Sequence, residues 1–230
     1  MCLACQVILV FSVTVTLLDR VVSLAILAGD MPLFVGYTAV LLRRAETLRR
    51  RAEHAADHDQ LTGLLNRRGL WNAVSGLVGS AKAQSWCVGV VAIDLDHFKK
   101  VNDVFGHDAG DALLAALGAH LQESVDNGAV AVRTGGEELA VVGCFRNQEA
   151  VILAAERLRR SIAVLRVEGV PPVTASMGVA VGAGGGLSGE PREVVTRLLT
   201  LADRALYEAK AAGRDRVKVF AAPATLLPAS

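Results

Sequence analysis

Two groups of acidic residues, each beside a strand-like run, are the side chains of this sequence best suited to metal-dependent chemistry. Glu137 and Glu138 follow a Gly135-Gly136 pair that separates two apolar runs. Such a pair is typical of a two-residue hairpin turn, because the favoured turn types need positive φ. Acidic residues are unfavourable at a strand start, so either a solvated hairpin tip or a functional site would explain them.

The second acidic group lies about forty residues upstream. The run from Val88 to Ile93 is short and apolar, which predicts a buried central strand, and it ends in Asp94-Leu95-Asp96. If the two strands are neighbours, Asp94, Glu137 and a backbone carbonyl would form a divalent cation site. Because hard oxygen ligands suit Mg²⁺, we expect Mg²⁺ (or Mn²⁺) as the cofactor.

Four motifs extend this pattern along the chain. In order they are DQLTGLLNRR (59–68), IDLDHFKKVNDVFGHDAGD (93–111), RTGGEEL (133–139) and LADRALYEAKAAGRDRV (201–217). With these motifs, the chain from Asp59 to about Phe220 resembles the GGDEF domain, the diguanylate cyclase family. A lone GGEE would be weak support, whereas four motifs in order and spacing are specific.

The resemblance implies an activity and roles for the acidic residues. Members condense two GTP molecules into cyclic di-GMP with release of two pyrophosphates, and two domains face each other so that each 3′-hydroxyl attacks the opposite α-phosphate. It implies that Asp94, Glu137 and the Leu95 carbonyl hold the metal. Glu138 would assist at the metal or orient the hydroxyl, so Asp94, Glu137 and Glu138 form the catalytic set.

The resemblance also implies the substrate-binding residues. Asn102 and Asp111 would hydrogen-bond the guanine edge, although Asp111 could instead be a helix N-cap. Lys210 and Arg214 lie four residues apart near the end of a predicted helix and would reach the phosphates, unless they only complement the helix dipole. The other substrate-binding residues are Lys99, which contacts the triphosphate, Phe98, Gly135 and Gly136.

The order of elements predicts an α+β fold. Helices flank a mixed central sheet, as in the palm-like nucleotidyl cyclase core of the family. We expect helices from near Asp111, over 148–165 and over 193–211, and strands over 173–181 and 217–220. A loop covers 106–110, a glycine-rich connector covers 182–189, and the tail 221–230 is expected to be disordered.

The first 42 residues are strongly apolar and contain only three charged side chains, Asp19, Arg20 and Asp30. Apolar runs at 2–18 and 21–42 predict one or two membrane helices, since a bilayer core needs ~20 apolar residues. A cleavable signal peptide is the alternative, but no basic segment precedes the run. Five arginines in 43–51 place the following domain in the cytoplasm, at the inner membrane.

Residues 43–58 predict a charged linker helix. A seam of small and apolar residues would pair two chains as a coiled coil and supply a homodimer, although an ordinary exposed helix with a fortuitous stripe fits as well. The seam consists of Leu41, Ala45, Leu48, Ala52 and Ala55.

Composition and charge narrow the remaining possibilities. The net charge of +1 and pI of about 7.7 give no basic field, so no nucleic-acid partner is expected. The four cysteines have no metal spacing and are interpreted as small reduced hydrophobes.

This chain differs from the usual family pattern at a few positions. Leu139 replaces a Phe, Thr134 replaces an aromatic or apolar residue, and Asp215 replaces an Asn, but no proposed ligand is lost. Residues 126–129 lack the Arg-x-x-Asp product-inhibition site, so we expect no feedback through it. Three alternatives stay open: a catalytically silent GTP-binding regulatory module, a cyclase for a different nucleotide, and a fragment too short to dimerise.

Overall fold

The computed structural model of this chain describes residues 15–24, 31–126, 128–183 and 189–220. It has two compact units, Met1–Glu53 and His54–Ser230. The predicted tail 221–230 and most of the predicted glycine-rich connector lie outside the described residues.

The described N-terminal residues are helical. Residues 15–24 form helix α1, and Met31–Asp57 forms helix α2, which includes nearly all of the predicted linker. Among the described residues, no helix is both long and apolar enough to cross a bilayer. Residues 1–14 and 25–30, which belong to the two predicted membrane runs, lie outside the described part, so the membrane segment stays a prediction.

The second unit is built on a five-stranded sheet with the order β2-β3-β1-β4-β5. Only β4 and β5 pair in parallel, and the other neighbours are antiparallel, so the predicted mixed sheet is confirmed. The strands are β1 (Cys87–Leu95), β2 (Ala129–Arg133), β3 (Glu138–Phe145), β4 (Ala175–Ala183) and β5 (Val217–Val219). The helices are α3 (Arg67–Ala83), α4 (Phe98–Phe105), α5 (His107–Ser124), α6 (Gln148–Val164) and α7 (Pro191–Ala211).

Strand β1 lies at the centre of the sheet and is buried at all nine positions. The strand is buried on both sides because helices cover both faces of the sheet, which agrees with its continuous apolar run. Val91 and Ile93 pack with α4, α5 and α6, whereas Val90 and Ala92 pack with α3 and α7. Since successive side chains of a strand point to opposite faces, Asp94 belongs to the α3 and α7 face.

One predicted helix boundary is wrong. Helix α5 begins at His107, so residues 107–110 are helical rather than a loop, and Asp111 is not an N-cap. Gly106 alone separates α4 from α5, with a φ of 85° that glycine adopts at little cost. Two helices joined at one glycine place the end of α4 and the start of α5 side by side.

Candidate active site

The loop between β2 and β3 carries Glu137, and Glu138 is the first residue of β3. The loop comprises residues 134–137, and neither Gly135 nor Gly136 has positive φ, so the two-residue turn with two left-handed glycines is wrong. A Cβ added to Gly135 would lie 2.5 Å from Oε2 of Glu138. The glycine at position 135 therefore lets the Glu138 carboxylate lie close to the loop backbone, and a larger residue there would displace that side chain.

Arg133 holds this loop in place. Its Nε donates to the carbonyl oxygens of Gly135 and Gly136, both at 3.1 Å, and its Nη2 donates to Gly136 at 2.7 Å. Its Nη1 donates to Oδ1 of Asp59 at 2.8 Å. Burial acts to raise the pKa of Asp59, but hydrogen bonds from Arg133 and Thr62 outweigh it and keep that pKa below its ordinary value. The 59–62 turn thus anchors the acidic loop.

The pairing of β1 with β3 brings the two acidic groups together. Asp94 lies opposite Glu138 in the register, and its side chain is only 8% exposed. Nζ of Lys210, from the last turn of α7, lies 2.8 Å from Oδ2 of Asp94. Burial and the nearby carboxylates of Asp94 and Glu138 raise the pKa of Glu137, although Lys210 opposes this shift. The site therefore concentrates negative charge that a cation would offset.

The donor chemistry at this edge fits a hard divalent cation. Two carboxylates, Asp94 and Glu137, lie near each other, and Leu95 follows Asp94 in the strand. The pKa of Glu137 is raised first by burial and then by repulsion from Asp94, and a bound cation would offset both effects. Within the described ranges, no group of three or more His, Cys, Asp or Glu residues could hold a metal ion. The predicted ligand set contains only two such residues, Asp94 and Glu137, and its third ligand is the backbone carbonyl of Leu95.

The α4–α5 junction holds the two predicted guanine-binding residues on adjacent turns. A Cβ on Gly110 would come within 1.8 Å of Oδ1 of Asn102, so the Asn102 amide fills the space that a side chain at 110 would need. Asp111 follows directly and is exposed. The nearby Phe98 is 6% exposed and belongs to the core, whereas Lys99 is exposed on the first turn of α4.

The predicted phosphate-binding residues do not share a helix. Helix α7 ends at Ala211, so Lys210 lies in its last turn and Arg214 lies in the turn that follows. Arg214 has a φ of 62°, which is unusual for a residue other than glycine. The interpretation of Lys210 and Arg214 as one i,i+4 pair is therefore wrong.

Sequence reasoning missed another carboxylate near this site. Asp203 on α7 lies beside Glu138, since loss of surrounding water and the charge of Glu138 raise the pKa of Asp203 while Arg67 opposes the shift. These residues line a cavity of about 640 Å³ between α3, α7 and β3 that also reaches Asp94 and Lys210. The sequence signal that could have identified Asp203 was its position inside the LADRALYEAK motif.

The sequence is similar to proteins of one family. The sequence profile described as "Diguanylate cyclase, GGDEF domain" matches residues 56–216. The chain is 36% identical over 170 residues to diguanylate cyclase DgcM of Escherichia coli, covering 74% of this chain and 40% of DgcM. It is 36% identical over 183 residues to the response regulator PleD of Caulobacter vibrioides, covering 76% of this chain and 39% of PleD.

A solved structure gives the same result. The active GGEEF domain of a diguanylate cyclase from Vibrio cholerae aligns with a TM-score of 0.61 at 30% identity, covering 70% of this chain and 99% of that domain. This chain spans about two fifths of the length of the curated relatives above. The profile match covers well over half of the chain, and the chain therefore belongs to the GGDEF domain family.

Proposed function

We propose that this chain is a diguanylate cyclase that condenses two GTP molecules into cyclic di-GMP and two pyrophosphates. The observation that carries the proposal is the buried Asp94 beside Glu137, with Lys210 at the same edge of the sheet. These groups provide hard ligands for a cation and a positive charge for phosphates. Relatives named as diguanylate cyclases, such as DgcM of E. coli, support the same activity.

In the proposed reaction, the 3′-hydroxyl oxygen of one GTP bonds to the α-phosphorus of the other, and the bond from that phosphorus to the bridging oxygen breaks. Asp94, Glu137 and the Leu95 carbonyl would hold Mg²⁺ or Mn²⁺, which lowers the hydroxyl pKa and neutralises phosphate charge when bound. Glu137 and Glu138 are the carboxylates at hand to accept the hydroxyl proton. Pyrophosphate leaves as the counterpart of each bond formed.

The remaining residues bind and orient the nucleotide. Lys210 and Arg214 bind the triphosphate together with Lys99, since all three are cations near the end of β1 or α7. At the α4–α5 junction, the Asp111 carboxylate accepts hydrogen bonds from the guanine ring N–H and exocyclic amine, and the Asn102 amide completes the pattern. Gly135 and Gly136 leave room for the nucleotide above the loop, because they carry no side chains.

One domain holds only half of the reacting system, so the proposed enzyme is a homodimer. Helix α2 would supply the dimer contact, because Leu41 and Leu48 of the predicted seam are exposed. DgcB of Caulobacter crescentus, one of the solved structures that aligns with this chain, combines a coiled coil with a GGDEF domain. That likeness, at 22% identity, concerns the fold alone.

We also propose that the N-terminal 42 residues attach the enzyme to the inner membrane with its cyclase domain in the cytoplasm. The support is the sequence: three charged residues in 42, followed by five arginines in nine positions. Retention of the full chain in the membrane fraction after alkaline carbonate extraction is the expected result. Release into the supernatant would contradict membrane insertion.

The test of the activity is product formation by the full chain, solubilised in detergent, from GTP and Mg²⁺. We expect cyclic di-GMP from the wild type and a loss of about 100-fold or more in Glu137→Gln, which keeps the side-chain size but removes a proposed ligand. Glu123→Gln, an exposed change on α5, is the matched control and should retain activity.

A second measurement separates the enzyme from the silent GTP-binding module. 3′-Deoxy-GTP lacks the attacking hydroxyl, so it reports binding without reaction. Binding of this nucleotide by the wild type, with no cyclic di-GMP formed from GTP even at high protein concentration, would favour the regulatory module and contradict the cyclase.

A further inference from the structure

The turn between α7 and β5 has an unusual backbone. Gly213, Arg214 and Asp215 have φ values of 110°, 62° and 41°, so two successive residues with side chains adopt the left-handed region. Such conformations are costly and persist only where the surrounding structure holds them. Arg214 is a proposed phosphate ligand. The contacts that restrain the backbone of this turn therefore also set the position of the Arg214 side chain.

The first restraint comes from the end of β1. Asp96 is buried, at 5% exposure, and its Oδ2 accepts a hydrogen bond from the backbone N–H of Asp215 at 3.0 Å. The same carboxylate accepts from the hydroxyls of Thr174 at 2.6 Å and Ser176 at 2.7 Å. The strand edge therefore fixes the backbone of residue 215 from one side.

The second restraint comes from α6. The Asp215 carboxylate forms an ion pair with Nη1 of Arg159, and Nε of Arg159 also donates to Glu156 at 3.1 Å. Arg159 is only 19% exposed, so this guanidinium is held in place by two carboxylates. The pair connects the turn to a helix on the opposite face of the sheet from α7.

We propose that Asp215 and Arg159 are positioning residues that hold the 213–215 turn so that Arg214 can bind the nucleotide phosphates. The inference rests on the proposed function. Pairing has a second effect, because it neutralises a carboxylate next to a residue that must attract phosphate. An Asn at position 215 would tolerate the same backbone conformation but could not form the ion pair.

The test is the dissociation constant of 3′-deoxy-GTP with Mg²⁺ for the full chain and its variants. We expect Asp215→Asn to weaken binding about five-fold through loss of the restraint. Arg159→Met should weaken it further, about ten-fold, because it also leaves the Asp215 charge unpaired beside the phosphates. The double variant should bind no worse than Asp215→Asn, since the charge and its partner are then both absent.

A matched control lies on the same helix. Arg157→Met removes a 70% exposed guanidinium that pairs with Asp126, and it should leave nucleotide binding unchanged. Arg159→Lys, which keeps the charge, should recover part of the affinity lost in Arg159→Met. Unfolding temperatures of all variants, measured in parallel, identify any variant that fails to fold.

The outcomes are distinct from those of the cyclase test. Unchanged or tighter binding by Asp215→Asn would overturn the inference, because Asp215 would then act only as a charge that repels phosphate. Additive effects in the double variant would also overturn it. A wild type that binds 3′-deoxy-GTP but makes no cyclic di-GMP contradicts the cyclase and leaves the positioning role open to the same binding test, whereas no binding by the wild type overturns both.

Discussion

At the scale of single residues, the ionised carboxylate of Glu137 lowers the free energy of unfolding. The carboxylate of Glu137 is partly buried beside Asp94 and Glu138, and its pKa is raised. A raised pKa means that the folded chain binds this proton more tightly than the unfolded chain does. The contribution of Glu137 to stability is therefore present at low pH and is lost as pH rises through the folded-state pKa.

Glu137→Gln should consequently raise the unfolding temperature at pH 7 by about 1–3 °C while it abolishes product formation. The advantage should shrink as pH falls through the ordinary glutamate value of 4.5, because the wild-type carboxyl becomes protonated in both states only below that pH. Thermal unfolding from pH 4 to pH 8 checks this, with Glu123→Gln as the control that shows no such trend. An advantage that grows at low pH would contradict the assignment.

The same residue should couple stability to metal binding. Addition of Mg²⁺ should raise the unfolding temperature of the wild type more than that of Glu137→Gln, because only the wild type has the full proposed ligand set. Titration of Mg²⁺ without nucleotide, followed by thermal unfolding, is the measurement. Equal shifts for both proteins would place any bound cation elsewhere.

At the scale of elements, the α4–α5 junction depends on a glycine inside a helix. A Cβ on Gly110 would meet the Asn102 amide at 1.8 Å and the Phe98 ring at 3.2 Å. Phe98 belongs to the core and cannot retreat easily, so the Asn102 side chain must move. The position of Asn102, the proposed guanine-binding residue, and the packing of the two helices therefore both depend on Gly110.

Gly110→Ala should weaken 3′-deoxy-GTP binding about ten-fold, because displacement of Asn102 removes a hydrogen bond to the base. It should also fail to show the gain of roughly 0.5–1 kcal/mol that Ala usually has over Gly in a helix. Gly76→Ala in α3 is the control, since its Cβ meets nothing within 4 Å. That control should be stabilised with unchanged binding, and equal behaviour of the two variants would contradict the packing argument.

The elements also show what a single sequence could predict. Strand β1 was predictable because helices on both faces require an unbroken apolar run. The conformation at Gly135 was not predictable, because it depends on hydrogen bonds with Arg133 and Glu138 rather than on turn propensity. The start of α5 was missed because one glycine with positive φ replaces a loop.

The position of Arg214 was missed for a related reason. Spacing of four residues is compatible with one helix face, but helix α7 ends at Ala211, and the following turn is fixed by Asp96 on a distant strand. Contacts between residues 119 positions apart leave no local signal. Asp203 was missed because its acidic neighbour Glu138 becomes adjacent only after the sheet has packed on α7.

At the scale of the whole molecule, activity should depend on association of two chains. Leu48 on α2 is 64% exposed and lies on the predicted seam. Leu48→Glu should place like charges in that seam, lower the fraction of dimer and reduce activity about ten-fold at low protein concentration. Cyclic di-GMP formation measured against protein concentration, with sedimentation of the same samples, checks the prediction.

Thr47→Glu is the matched control for this change, because it adds the same charge one residue away from the seam, on the exposed part of α2. It should retain both dimer and activity. If Leu48→Glu and Thr47→Glu behave alike, or if activity per chain is independent of concentration, α2 does not supply the dimer contact.

The last turn of α2 is joined to the start of α3 by several side-chain hydrogen bonds. Asp57 accepts from Nε of Arg68 and from Nδ2 of Asn72, and the Asn66 amide donates to the carbonyl of Ala56 at 2.8 Å. Rotation of this last turn must therefore turn the start of α3 with it. From there, Asp59 and Arg133 continue as hydrogen-bonded groups to the loop that carries Glu137. We therefore expect the angle of this last turn of α2, rather than the concentration of a ligand, to set the position of the loop that carries Glu137.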